Sequence, residues 1–404
     1  MEVTPPANRL SSLRRITSSG PWVPEVDGIR FVAITLVLLQ HIHERVLRRA
    51  GDVYPEVHSS WLDHLLMQGD AGVWIFFSLS GYILGKSLIS RMDSGAPVSV
   101  VTFYSRRLTR LEPPYLLVLF GIFLFLTISG FHSSFSRSLN EGASTLTDAL
   151  IASALYSYGI IYGTLPKLNP PAWSLEVEVQ FYLLAPFLAW ILTRFRSARR
   201  VIGLGACVTL WWFTVTAAAN DNSHTINSLL GFMPFFLVGF VVVDLTRLLN
   251  RVPSNQKSLG SLMDGLALGS LALLVFQKQL GLVGAFGLMN VVTSGCFVLG
   301  VLNGNRIRKG LATPWVAVIG GMCYSIYLIH LPFLEMAANQ TAKYGRSLPY
   351  LAFFALQFVI LSGLVVGAAL IFFRFVERPC MDPTWPGRLW RWVRARVGTP
   401  NAGP

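Results

Sequence analysis

Residues 24–45, PEVDGIRFVAITLVLLQHIHER, form an apolar run with Asp27 and Arg30 at one end and His41 and His43 near the other. A run of this length crosses a bilayer as a helix. In lipid the backbone polar groups must be satisfied inside the segment, which leaves little besides helix for such a chain. Eleven helical residues, from Arg30 to His41, cover roughly 16 Å. An ionisable side chain that deep in a membrane is costly and reads first as a functional group.

Further apolar runs lie at 68–88, 113–130, 173–193, 201–219, 227–246, 260–276, 282–303, 314–336 and 349–373. Only 13% of the 404 residues are charged, against about 25% in soluble domains, and the mean hydropathy is +0.53. The expected fold is all-α, a polytopic bundle of about ten transmembrane helices. The stretch 146–164 is also apolar but richer in Ser, Tyr and Gly. If it does not cross, both termini are cytoplasmic, 25 of the 33 Lys and Arg residues fall inside and 8 outside. Crossing would destroy that bias. The stretch is therefore expected to be re-entrant or interfacial, with Arg137 and Lys167 on the same outer side.

The same bias explains the net charge of +13 without nucleic acid as a partner. The first run is too long for a cleavable signal and reads as an uncleaved anchor in the plasma (inner) membrane. Residues 1–23 read as a flexible cytoplasmic tail, 24–380 as the membrane domain, and 381–404 as a basic tail. Within the last, WPGRLWRWVRARV suits an amphipathic segment on an anionic leaflet. Cys207, Cys296, Cys323 and Cys380 lack paired spacing and read as core.

With orientation set, the polar residues form two layers. The cytoplasmic layer holds Asp27 and Arg30, then Arg106, Arg107 and Arg110 in FYSRRLTRLEPPY (103–115), and Arg374, Glu377 and Arg378 in FRFVERP. Arg107 and Arg110 are spaced i, i+3 and share a helix face. Ordinary positive-inside charge is one reading of them; a site for a phosphorylated ligand is the other, since guanidinium matches phosphate geometry. Pro113 and Pro114 are expected in the first turn of the next span, and Glu377 is expected to orient its arginine neighbours.

The deeper layer holds His41 and His43, then Trp173, Ser174, Glu176, Glu178 and Gln180 in NPPAWSLEVEVQFY, and Tyr324, Ser325, Tyr327 and His330 in YSIYLIHLPF. His41 and His43 point to different helix faces and make a poor metal pair, so no metal site is expected. For His41 two readings stand, a satisfied structural histidine and a proton-transfer group. Glu176 and Glu178 also face different sides, one toward a cavity and the other toward the headgroups. No Gly-x-Ser-x-Gly elbow occurs, and Ser80 in SLSGY lacks the first glycine, so a covalent serine intermediate is not indicated.

Taken in order, VDGIR with His41, GVWIFFSLSGYILG, FYSRRLTRLEPPY, PPAWSLEVEVQFYLLAP, YSIYLIHLPF and VERP resemble the motifs of the acyltransferase-3 family of integral membrane O-acyltransferases, over about residues 24 to 380. The resemblance implies a ten-span bundle that moves an acyl group, often acetyl, from acyl-CoA to a hydroxyl, commonly on a sugar. It carries over to Arg30, His41, Arg107, Arg110, Glu178 and Glu377. Glu176 stands where a serine is usual and Val179 where a second glutamate is common, departures that bear on the acceptor side.

Both readings converge on one scheme. Acyl-CoA, acetyl-CoA foremost, is a co-substrate and no bound cofactor is expected. Its phosphates dock at Arg30, Arg107 and Arg110, with Glu377 beside them. His41 is the general base, Glu178 a second catalytic group, and Trp173, Tyr324 and His330 are substrate-binding candidates. The expected acceptor is a carbohydrate, on a cell-surface glycan, exopolysaccharide or glycolipid. A macrolide-like natural product is the alternative acceptor, and a proton-coupled glycan or lipid transporter the alternative class.

Overall fold

The first helix, α1 (Pro24–Ala50), starts with Pro24, carries Glu25 and Asp27 in its first turn and ends with Arg48 and Arg49. That order sets proline where no N–H is needed and places each charge against the helix dipole. The structure is a computed structural model that describes residues 13–17, 22–130, 142–251, 256–277 and 287–397. After α1 come α2 (Gly69–Asp93), α3 (Val100–Ser129), the short α4 (Leu146–Ala154) and α5 (Tyr158–Tyr162), then α6 (Trp173–Arg194), α7 (Arg199–Ala219) and α8 (Leu229–Leu249). The chain continues with α9 (Gln256–Phe276), α10 (Leu288–Asn303), α11 (Pro314–Gly321), α12 (Cys323–Thr341), α13 (Tyr350–Phe372) and α14 (Trp385–Val397).

The described residues contain no strand, and the protein is a polytopic helical bundle. Among the described residues eight helical stretches are long and apolar enough to cross a membrane; the pair α11–α12, bent by 66°, makes a ninth if it counts as one span. The apolar run expected at 282–303 contributes only the 16-residue α10, its first residues lying outside the described ones. Residues 146–164 form α4 and α5, of 9 and 5 residues. At 1.5 Å per residue the longer is roughly 14 Å, about half a bilayer core. Side chains from the spans hold this broken segment. Gln180 Nε2 donates to the Tyr156 carbonyl at 2.9 Å, Asn227 Nδ2 to the Gly163 carbonyl at 2.8 Å, and Glu176 Oε2 accepts from Gly159 N at 3.2 Å. Lys167 Nζ donates to the Ala143 carbonyl at 2.9 Å, while Arg137 lies outside the described residues.

Helix α3 departs from the expected start at Pro113. It begins at Val100, capped by Ser99, and runs through Pro113 and Pro114 without a break. A proline inside a helix removes the bond to the carbonyl four residues back. For Pro113 that carbonyl is Thr109, and the Trp385 indole N–H takes it at 3.0 Å. The amphipathic α14 is thereby tied to α3 at its first residue.

At the centre lies α8, buried from Leu229 to Asp244 apart from Leu230. With no hydrophobic drive between helices in lipid, close backbone approach at small residues supplies the packing. A Cβ on Gly239 would meet the Ser78 carbonyl of α2, and one on Gly81 would meet the Phe236 carbonyl of α8. Gly239→Leu is therefore expected to cost about 1–3 kcal/mol or more through overpacking, seen as a lowered thermal midpoint of the purified protein. Gly265→Ala in α9, where an added Cβ meets nothing, should not lower the midpoint.

Candidate active site

Between α1, α2, α3, α6 and α12 lies a cavity of about 890 Å³. Arg30, Ile34 and Val37 line it from α1, and their 4-3 spacing makes one helix stripe. Seven basic side chains face it against two carboxylates, Asp27 and Glu178. That excess of positive charge, with apolar walls beyond it, suits a ligand with a polyanionic head and a thinner tail. The volume falls in the upper part of the range of about 300–1,000 Å³ typical of ligand pockets.

The basic end is held by ion pairs. Arg30 Nη1 donates to Asp27 Oδ1 at 2.5 Å, and the Trp22 indole donates to Asp27 Oδ2 at 2.7 Å. Asp27 is fixed in turn by Gly320 of α11, where a Cβ would meet the Asp27 carbonyl. Arg110 Nη2 lies 3.9 Å from Glu377 Oε1. Glu377, fully buried, accepts at Oε2 from Ser325 N at 3.0 Å and Ser325 Oγ at 2.5 Å. Glu377 thus orients Arg110 across the bundle, not Arg374 and Arg378 beside it in sequence. The π-helical turn Phe373–Glu377 carries it inward. Arg107 stacks on the Phe103 ring at 3.6 Å and donates to the Phe103 carbonyl at 2.9 Å.

Further in, Glu178 faces the cavity and accepts at Oε1 from Ser80 Oγ at 2.5 Å and from the Tyr182 hydroxyl at 2.6 Å. Its sequence neighbour Glu176 turns to the opposite side and caps α5 instead of meeting headgroups, because the broken segment 146–164 fills that space. Tyr324 lines the cavity with its hydroxyl committed to the Leu111 carbonyl at 2.8 Å. Trp173 does not line it. Its ring packs on Phe232 and Phe77, at centroid distances of 4.8 and 6.2 Å, so it belongs to the core and not to the substrate surface.

The cavity stops at Val37, Val73 and Tyr327. His41 continues the same stripe of α1 one turn beyond Val37, roughly 6 Å farther along the axis, outside the cavity wall. Its Nδ1 lies 3.2 Å from Glu44 Oε2, and Gln40 Nε2 steadies the other oxygen at 2.8 Å. A carboxylate on Nδ1 fixes the tautomer with Nε2 free to take a proton. Glu44, and not Glu178, is thus the acidic partner of His41. The His330 ring stands 5.2 Å away, fully buried and not part of the cavity surface. Its Nδ1 donates to the Tyr327 carbonyl at 2.7 Å, and Nε2 has no partner among the described residues.

His43 points elsewhere. It is fully buried, with Nε2 2.7 Å from Asp63 Oδ1 and Nδ1 2.6 Å from the Tyr350 hydroxyl. One turn beyond His41, fully buried Arg45 pairs with Glu335 at 2.6 Å, and Arg49 reaches the same carboxylate at 3.0 Å. These pairs clamp α1 to α12 and set His41 against His330. Among the described residues no three His, Cys, Asp or Glu side chains gather to hold a metal ion.

The family model for the acyltransferase domain of type 3 matches residues 23–374. The peptidoglycan O-acetyltransferase OatA of Listeria monocytogenes is 25% identical over 347 residues, 79% of this chain and 50% of that protein. The O-acetyltransferase OatA of Staphylococcus aureus is 24% identical over 383 residues, 89% of this chain and 57% of that protein. The chain therefore spans about half the length of the curated relatives it matches. No solved structure matches it.

Proposed function

The chain belongs to the acyltransferase-3 family, and from that premise we propose that it is an O-acyltransferase that moves an acyl group, acetyl foremost, from acyl-CoA to a carbohydrate hydroxyl. The observation that carries the reading is the α1 stripe. One helix face runs from Arg30, at the basic end of the cavity, through Ile34 and Val37 to the His41–Glu44 pair. A CoA thioester has the matching form, phosphates at one end and a reactive carbonyl on a long arm. The charge bias of the loops supports an orientation in the plasma membrane with the arginine end, and both termini, in the cytoplasm, where acyl-CoA is available. The name of the Listeria relative favours a peptidoglycan-like glycan as acceptor, used at the opposite face.

In the reaction, His41 Nε2 takes the proton of the acceptor hydroxyl while that oxygen bonds to the thioester carbonyl carbon. The C–S bond then breaks, and the proton passes to the departing thiolate, leaving ester and free CoA. Glu44 holds His41 in the required tautomer and stabilises its charged form. Glu178, fixed by Ser80 and Tyr182, presents a carboxylate along the path of the arm. The arginines bind, and the bundle removes the entropic cost of bringing two substrates together.

Purified full-length protein, supplied with acetyl-CoA and glycan oligomers, is expected to release free thiol only when an acceptor is present. Thiol release with a macrolide and none with any glycan would replace the acceptor class. No CoA binding, together with proton-driven glycan uptake in proteoliposomes, would overturn the reading in favour of transport.

A further inference from the structure

The N-terminal segment, expected as a flexible tail, closes one side of the cavity. Arg15, Ile16, Thr17 and Trp22 all line it. Arg15 Nη1 lies 3.2 Å from Asp27 Oδ1, the same oxygen that Arg30 Nη1 meets at 2.5 Å. The two arginine side chains are only 14% and 16% exposed. One carboxylate neutralises one guanidinium, and Arg30 together with the Trp22 indole already satisfies Asp27. A second arginine is superfluous for that purpose.

The surplus charge is left without an anion. Arg15 Nε and Arg110 Nε are both buried with no partner among the described residues, and burying idle donors on charged groups is costly. Burial, with the positive charges of Arg30 and Arg110 nearby, pulls Arg15 down to about 9; it stays charged at neutral pH, in a site that an incoming anion would relieve. Asp27 holds two guanidinium groups side by side in the cavity wall.

We propose that Arg15 is a binding residue for a phosphate group of the acyl-CoA donor, so that residues 13–17 and 22–23 form part of the donor site. This rests on the acyl-CoA reading above. The phosphate end of the donor then meets arginines from two directions, Arg15 from the N-terminal segment and Arg107 and Arg110 from α3, with Arg30 beneath.

The test is titration of CoA into the full-length protein, as wild type and as Arg15→Ala, Arg15→Lys, Arg15→Gln and Arg30→Ala variants. Arg15→Ala is expected to raise the Kd for CoA about tenfold or more, the loss of one charge-assisted contact. Arg15→Lys should recover part of it, because a point charge still attracts phosphate, and the thermal midpoint without ligand should stay that of wild type. If the alanine variant does not fold, Arg15→Gln decides. It keeps a donor for Asp27 and removes the charge, so wild-type affinity in Arg15→Gln overturns the proposal and weakened affinity supports it. Wild-type CoA affinity in Arg15→Ala, with Arg30→Ala impaired, also overturns it while leaving the acyl-CoA reading intact. Failure of the wild type to bind CoA instead removes that underlying reading.

Discussion

His41→Ala is expected to lower turnover by about a hundredfold to ten-thousandfold, the usual range for a positioned general base, with the protein still folded. The side chain is partly exposed and its hydrogen bond is local, to Glu44 at 3.2 Å, so little of the bundle depends on it. Glu44→Gln is expected to fall between His41→Ala and wild type. Glutamine still reaches Nδ1, but it stabilises no imidazolium, and its amide can force the tautomer that leaves no lone pair on Nε2. Thiol release per folded molecule measures both. Full activity in His41→Ala would end the general-base assignment. His43→Ala provides the contrast, since it strips Asp63 and Tyr350 of a buried partner. The cost is about 1–3 kcal/mol of stability, read as a lower thermal midpoint, with turnover per folded molecule retained.

The difference between these histidines was legible in the sequence, because a two-residue step on a helix turns the side chain through most of a half-circle. The spans were legible for an equally simple reason. Lipid demands long unbroken apolar stretches, and charged residues inside them are rare enough to stand out. What the sequence hides is the identity of partners. Glu44 stands in a plain His-x-x-Glu spacing, yet it sits beside Arg45, Arg48 and Arg49, and the group reads as interfacial charge. Trp173 looks like a site residue from its polar neighbours, but Phe232 and Phe77 occupy its face, and no local pattern reports that. Pro113 within α3 depends on a Trp385 indole that meets the Thr109 carbonyl from 276 residues away. Glu377 likewise finds Ser325 and Arg110, not its neighbours, because a π-helical turn rotates it inward. Arg15 belongs to a segment without periodicity, and only its pairing with Asp27 of α1 gives it a place.

Arg110→Ala is expected to raise the KM for acetyl-CoA about ten- to a hundredfold, the equivalent of roughly 1.5–3 kcal/mol for a lost bond to a charged group. Turnover at saturating donor should change far less, since the contact lies on a non-reacting part of the substrate and is made equally in ground and transition states. The geometry makes Arg110 the sharper probe of the pair. Its guanidinium is aimed by Glu377, which Ser325 locks with two hydrogen bonds, whereas Arg107 is additionally committed to the Phe103 ring and carbonyl. Arg110→Lys should recover little, because a lysine ammonium cannot reproduce a forked contact. The phosphate assignment has its own control in S-acetylpantetheine, a donor with the thioester arm and no phosphates. With acetyl-CoA the wild type and Arg110→Ala should differ, and with S-acetylpantetheine they should converge. A variant equally impaired with both donors would place Arg110 near the thioester, and a changed acceptor KM with an unchanged donor KM would move the arginine layer to the acceptor altogether.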